Sequence, residues 1–349
     1  MNHQYSTSES CPPCYPAKLI DSRLTFGTDE DDWLDAGQNI CLHPEWGAAT
    51  AADEWSRDGK PLPYHIRLKW LSVTEQQCYG LECDLDQKTI EAVFQMNDEK
   101  GNSVFRYIVV GMAPYGGVAV WLNGYKKSVL FCWMKAQTAD KNSDDVKEAL
   151  ETMAIEQYCS QAIEADKLVK ENLSQHGLPD PHLFDRMMQQ FTYRFQPILK
   201  KWDDDRKEWT DYAEDEKKPE LDFVEVKCHD GTFDRLRDGS LLNYHEAGKP
   251  SRVCVGWHVG KREYSAYFFF SHDELVPLFR TCYGAHPETK VDFLLQIDPE
   301  NDKYEPALFR YGMKEPLAIG DDASQVLVFR NKFECYRSPN YSQPKGAWR

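Results

Sequence analysis

The sequence predicts an α+β protein built from two repeated antiparallel-sheet modules, each with a short helix, joined by a helical hairpin. Three observations lead there. Apolar residues alternate with polar ones in many short runs, the signature of half-buried strands. The middle of the chain switches to helical spacing. Landmarks in the first half then recur in order in the second: Gly59-Lys60-Pro61, Trp70, Tyr79 and Ile90–Phe94 against Gly248-Lys249-Pro250, Trp257, Tyr264 or Tyr267, and Leu275–Phe279.

The boundaries follow from these shifts in pattern. Residues 1–22 read as a loose tail, since they carry no clear periodicity. Residues 23–140 read as the first β-rich module. Within it Ile66, Leu68 and Trp70 alternate with Arg67 and Lys69, and Asp86 caps a short helix ending at Phe94. Strands follow at Phe105–Gly111, Val118–Leu122 and Ser128–Met134. Residues 141–202 read as a helical hairpin: Val146, Leu150, Met153, Tyr158, Ala162, Val169 and Leu173 recur at helical spacing. Gly177-Leu-Pro-Asp-Pro181 breaks it, and Asp180-Pro181 starts a second helix running to about Lys201. Residues 203–220 read as an acidic linker, and residues 221–349 as the second module. In the latter, strands at Val253–Val259 and Tyr264–Phe270, a helix at Asp273–Tyr283 and a hairpin at Val291–Tyr311 mirror the first.

VGMAPYGGVAVW, residues 110–121, imitates a phosphate-binding loop. A phosphate loop joins a strand to a helix, whose first amides face the anion. Here Val118, Val120 and Trp121 continue as a strand, Gly117 stands where the lysine belongs, and Val118 replaces the hydroxyl. The stretch therefore predicts a hairpin turn.

Other templates fail in the same way. Cys11-Pro-Pro-Cys14 lacks the strand-then-helix setting of a redox dithiol and reads as a tail disulfide or as inert. His245-Glu246 lacks a second histidine, no Gly-x-Ser-x-Gly occurs, and Asp298, Glu300 and Asp302 lack the glycine and glutamate that complete a calcium loop. His65 and His258 read as ordinary strand histidines, and Trp70, Trp121 and Trp257 as core anchors. No catalytic residue, cofactor or metal is assigned.

Charge narrows the partners. The chain carries 57 acidic against 41 basic side chains, a net charge of -16. Such a surface repels phosphate backbones and anionic lipid, so nucleic acid is excluded and a basic protein favoured. Eleven cysteines, an odd number spread from Cys11 to Cys335, read as free thiols in a reducing compartment. With no signal-peptide pattern and no membrane span, the expected location is the cytoplasm; a periplasmic one would require a removed leader.

Lys69-Trp70-Leu71-Ser72, with Val110-Gly111-Met112-Ala113-Pro114 and Gly116–Leu122, resembles the bacterial family called domain of unknown function 2931. The likeness is clearest over residues 60–140 and extends to 228–349 through Tyr264–Tyr267, Tyr283–Pro287, Tyr336–Tyr341 and Gln343–Trp348. That resemblance supplies no catalytic residues. It implies a lipoprotein-like or effector-associated protein, including immunity proteins against type VI secreted phospholipases. The leading expectation is a non-enzymatic immunity protein that occludes a toxin or effector, using Asp203, Asp204, Asp205, Trp209, Tyr212, Tyr336 and Tyr341. The alternative is a hydrolase with a site between the modules.

Overall fold

The computed structural model describes residues 2–27, 32–36, 40–41, 46–49, 59–97, 103–236, 243–286, 288–299, 303–320, 324–330 and 334–337. The chain divides into two compact units. The first is residues 1–188 with Asp230–Thr232, and the second is residues 189–229 and 233–347.

The first unit runs β1 (Ser6–Ser10), β2 (Ala17–Thr25), β3 (Trp33–Leu34), β4 (Ile40–Cys41), β5 (His65–Ser72), β6 (Gln77–Asp84), α1 (Gln87–Phe94), β7 (Phe105–Ala113), β8 (Gly117–Gly124), β9 (Lys127–Lys135) and β10 (Gln137–Thr138). Helices α2 (Asp144–Ala149), α3 (Ile155–Ala165), α4 (Lys167–His176) and α5 (Leu183–Met187) close it. One sheet has the order β1-β7-β8-β9 and the other β10-β6-β5-β2-β3, with β4 also on β2. Ile66, Leu68 and Trp70 of one sheet meet Ile108, Val110, Val118 and Val120 of the other, and Ile90 and Phe94 of α1 complete this core. The two sheets pack as a sandwich on their period-2 inner faces, and outside it α5 packs on the other face of β7-β8 while α2 and α3 pack on Leu71, Val73 and Cys78.

The second unit runs β11 (Phe191–Leu199), β12 (Lys201–Asp203), β13 (Glu208–Thr210), β14 (Glu220–Cys228), β15 (Phe233–Leu236), β16 (His245–Ala247), β17 (Pro250–Val259), β18 (Arg262–Phe270), α6 (His272–Tyr283), β19 (Val291–Ile297), β20 (Tyr304–Arg310), β21 (Leu317–Ala318), β22 (Ser324–Arg330) and β23 (Glu334–Arg337). One sheet has the order β16-β11-β19-β20-β21; the other includes β15-β14-β17-β18-β22-β23. Phe191, Tyr193 and Phe195 alternate along β11 and face Val253, Val255 and Phe268 across the core, which Leu275 and Phe279 of α6 close.

The pairings run in the same order in both units. In the first, β1 pairs parallel with β7, β2 antiparallel with β5, β5 with β6, and β7 with β8. In the second, β11 pairs parallel with β19, β14 antiparallel with β17, β17 with β18, and β19 with β20. Trp70 lies opposite Tyr79 with ring centroids 5.5 Å apart, and Trp257 lies opposite Tyr264 at 5.8 Å. Lys60 lies over the Phe26 ring and Lys249 over the Phe191 ring.

Several expectations need correcting. The segment read as a loose tail forms β1 and most of β2. Ser6–Ser10 is wholly buried although it has no apolar residue, because its backbone pairs with β7. Side chains along it also find partners: Thr7 Oγ1 donates to the Asp35 carbonyl, and Ser10 Oγ accepts the Gly47 N–H at 3.0 Å. The sheets are not purely antiparallel, since β1/β7 and β11/β19 run parallel.

The first helix of the expected hairpin is three helices. Glu151 and Thr152 take positive φ, and Asp166 caps a new start by accepting the N–H groups of Leu168 and Val169. The second is only α5. Beyond it the chain is β11, where the aromatic alternation suits a strand; Pro197 disfavours a helix interior and is tolerated here beyond the Phe191–Tyr193 stretch that pairs with β16. The β12–β13 hairpin straddles the expected boundary at 202/203, with β12 mostly before it and β13 inside the acidic linker.

VGMAPYGGVAVW is the predicted hairpin. It joins β7 to β8 through Tyr115 (φ 57°) and Gly116 (φ 72°), and Gly117 N–H reaches back to Pro114 O. A Cβ on Gly116 would lie 2.7 Å from the Ala136 carbonyl oxygen, so close approach as well as φ demands glycine there.

Candidate binding face

The charged segment folds locally for reasons its residues supply. Trp202 and Trp209 are cross-strand partners on β12 and β13, with rings edge-to-face at 5.3 Å. Asp203 ties the turn: its Oδ1 accepts the N–H groups of Asp205 and Arg206, each at 3.0 Å, and its carbonyl accepts Lys207 N–H at 2.8 Å. Asp204 accepts the Trp202 indole N–H at 3.1 Å. The hairpin is anchored at its base. Trp202 N–H donates to Asp298, Trp209 Nε1–H donates to Glu305 at 2.7 Å, and the Lys303 ammonium lies 4.7 Å from the Trp202 ring centroid.

Most of the acid run is answered internally. Arg206 pairs with Asp203, Lys207 with Asp204, Lys200 with Asp211, and Lys201 with Glu216 while also lying over the Tyr212 ring. Thus Asp203, Asp204, Asp205, Trp209 and Tyr212 share one small structure, but Asp203 and Trp209 are committed to holding it. Of the remaining expected residues, Tyr336 lies on β23, where only its backbone is described, and Tyr341 lies outside the described residues.

The face beside this hairpin escaped sequence reading. Because Phe191, Tyr193 and Phe195 of β11 and Val291, Phe293 and Leu295 of β19 point into the core, their alternates point outward. Gln196 lies opposite Leu294, and Leu294 opposite Ala307. Ile198 and Phe309 sit diagonally to either side of Leu294, giving an apolar stripe across three strands. Each of these residues is half-exposed.

At one end of the stripe the hairpin rises through Trp209 and Glu305. At the other, Arg194 holds Asp292 through two hydrogen bonds of 2.6 and 3.0 Å, and Tyr244 donates to the same carboxylate at 2.7 Å while stacking under the guanidinium. Burial raises the Asp292 carboxyl, but the Arg194 and Tyr244 bonds outweigh it and hold it below the ordinary carboxylate range. The missed signal was the β11 alternation, hidden by its assignment to a helix.

The nearest approach to a catalytic grouping lies deeper in the second unit. His229 and His272 rings stand 5.2 Å apart near Lys249, and all three side chains are buried. His229 Nε2 donates to the Phe270 carbonyl at 3.1 Å, which fixes its tautomer. Burial, then His272 and Lys249, push its pKa well below the usual histidine value, so it is neutral and sealed.

The thiols are also unsuited to attack. Cys11 and Cys14 form no disulfide, and burial aided by Asp166 raises Cys14 to about 11, far from the thiolate a redox motif needs. Among the described residues no group of three or more His, Cys, Asp or Glu side chains could hold a metal ion. No described helix is long and apolar enough to cross a membrane.

The second unit therefore carries an outward, partly exposed apolar stripe beside an aromatic hairpin. Residues 1–180 match the family model described as Protein of unknown function (DUF2931), which is over half the chain, and the chain belongs to that family. The match covers the first stretch of the sequence resemblance; residues 228–349 lie beyond it. No curated protein and no solved structure matches the chain.

Proposed function

We propose that the protein is a non-enzymatic binding protein that neutralises a secreted effector by covering it, acting as an immunity protein in the cytoplasm. The observation that supports this most is the half-exposed apolar stripe of Ile198, Leu294 and Phe309 beside a hairpin carrying Trp202 and Trp209. Interfaces draw their energy from aromatic and aliphatic anchors ringed by polar groups, and this arrangement supplies both. The acidic balance suits a basic partner. Thiols without disulfides, most of them buried, fit a reducing location. A type VI phospholipase is the effector class that the family resemblance suggests. The hydrolase reading draws no support from the His229–His272 group, which is buried.

The test is co-purification of the tagged full chain with neighbouring gene products expressed beside it, followed by mass identification and a cell-survival assay. One stoichiometric partner, released by salt and toxic when expressed without this chain, is the expected result. Absence of any partner at low salt would defeat the proposal.

A further inference from the structure

Between the two sheets of the first unit, three sulfur-bearing side chains converge from opposite layers. Cys83 lies on β6 directly opposite Ile66, a core residue, so its thiol points between the sheets. Cys132 and Met134 lie two residues apart on β9, opposite Val120 and Val118, and share the inner face of the other sheet. Packing of the layers brings them together. Cys83 Sγ touches Met134 Sδ at 3.5 Å. Cys132 is near enough to Cys83 for a charge on one thiol to disfavour a charge on the other. The group is not sealed, since all three side chains are half-buried. On the side of β6 away from β5, β10 pairs only with Tyr79 and Gly80, and among the described residues no strand covers the Cys83 end.

The donors select the ligand. Two thiols and a thioether are soft, and such sets favour Cu(I). Zinc sites are built instead from cysteine, histidine and carboxylate, and structural ones need four such ligands. Among the described residues no third cysteine, histidine or carboxylate joins this pair of thiols. We propose that Cys83, Cys132 and Met134 form a site for a soft monovalent cation, Cu(I), bridging the two sheets of the first unit. Binding makes two copper–thiolate bonds and one copper–thioether bond, releases the two thiol protons to solvent and leaves the metal as Cu(I). The ion ties β6 to β9, so it stabilises the folded unit by mass action.

The test is titration of the full chain with Cu(I), without oxygen and against a chromophoric Cu(I) chelator. The expected result is one tightly held equivalent. Cys83→Ser and Cys132→Ser should each weaken it about a hundredfold or more and Met134→Leu about tenfold, while Met96→Leu, at an exposed methionine, leaves it unchanged. X-ray absorption at the copper edge should show sulfur neighbours only. Ag(I) is equally soft and stays in one oxidation state. One equivalent should raise the melting temperature of the unmodified chain but not of Cys83→Ser. It should also shield Cys83 and Cys132 from iodoacetamide, as read by mass spectrometry of digests.

Equal Cu(I) affinity in the unmodified, Cys83→Ser and Met134→Leu chains would mean adventitious capture by other cysteines and would overturn the proposal. Nitrogen or oxygen neighbours at the copper edge, or Zn(II) holding the site against an equivalent of Cu(I), would also overturn it. A Cys83–Cys132 disulfide formed with oxidised glutathione, in a chain that takes up no Cu(I), would assign the pair to redox chemistry instead. Circular dichroism and thermal melting check that the variants fold. Where a serine variant does not, alkylation of the unmodified chain decides: equal labelling of both thiols with and without Ag(I) would remove the site. The inhibitor proposal stands or falls independently of these outcomes.

Discussion

Acidifying the protein from pH 7.5 to 5.0 should destabilise the second unit through one side chain, His229. It is wholly enclosed, donates from Nε2 to the Phe270 carbonyl, and faces the His272 ring and the Lys249 ammonium, with Asp273 bonded to His272 beyond. Its folded pKa lies well below the usual 6.5, so the unfolded chain takes up a proton that the folded one refuses. The contribution is therefore complete above pH 6.5 and falls away as pH drops below that value. Each pH unit below 6.5 costs at most about 1.4 kcal/mol per proton, so the loss by pH 5.0 from this residue is bounded at about 2 kcal/mol. Carboxylates contribute little in that window, because they titrate lower.

The measurement is urea unfolding at several pH values on the unmodified chain and on His229→Gln, whose amide can still donate to Phe270 O. Two units can unfold separately, so transitions are fitted individually. The variant should be less stable at pH 7.5 yet lose less on acidification, by at most about 2 kcal/mol. An identical pH slope in both proteins would refute the reasoning.

Three further outcomes are expected. Gly116→Ala should cost about 1–3 kcal/mol in thermal or urea unfolding, because φ is 72° and the new methyl meets the Ala136 oxygen. Asp203→Ala should cost about 1 kcal/mol by removing the acceptor of two turn amides, whereas Asp205→Ala should stay within about 0.5 kcal/mol; chemical denaturation of both separates a turn role from a contact role. Cys14 should resist iodoacetamide at neutral pH until the protein unfolds, as read by mass spectrometry of digests, since its thiol is buried and titrates near 11.

What could be read from the sequence was whatever rests on local periodicity. The α1 cap at Asp86, the β5 alternation and the glycine turn at Tyr115–Gly116 each depend on a few neighbouring residues, and each is present. What could not be read rests on partners far along the chain. Ser6–Ser10 carries no apolar signal, and its strand exists because β7, about a hundred residues on, offers a parallel edge. The helical stripe over 146–173 is real, yet Thr152 and Asp166 divide it, and helix length is set by such local breaks as much as by the stripe.

The binding face shows the same division. Its charged hairpin was legible as composition, although the purpose of Asp203 within it was not. The apolar stripe was invisible, because one wrong period over 191–199 conceals which residues point outward. Once β11 is a strand, Phe191, Tyr193 and Phe195 take one side, and Arg194, Gln196 and Ile198 are forced to the other. The difference between the units then becomes physical. The sheet of β7 and β8 turns Val109, Ala119 and Trp121 outward, where Trp46, Tyr15 and the α5 side chains Leu183, Phe184 and Met187 bury them. The sheet of β11 and β19 turns Arg194, Gln196 and Gln296 outward beside Ile198 and Leu294, a mixture that tolerates water and leaves these apolar side chains partly exposed.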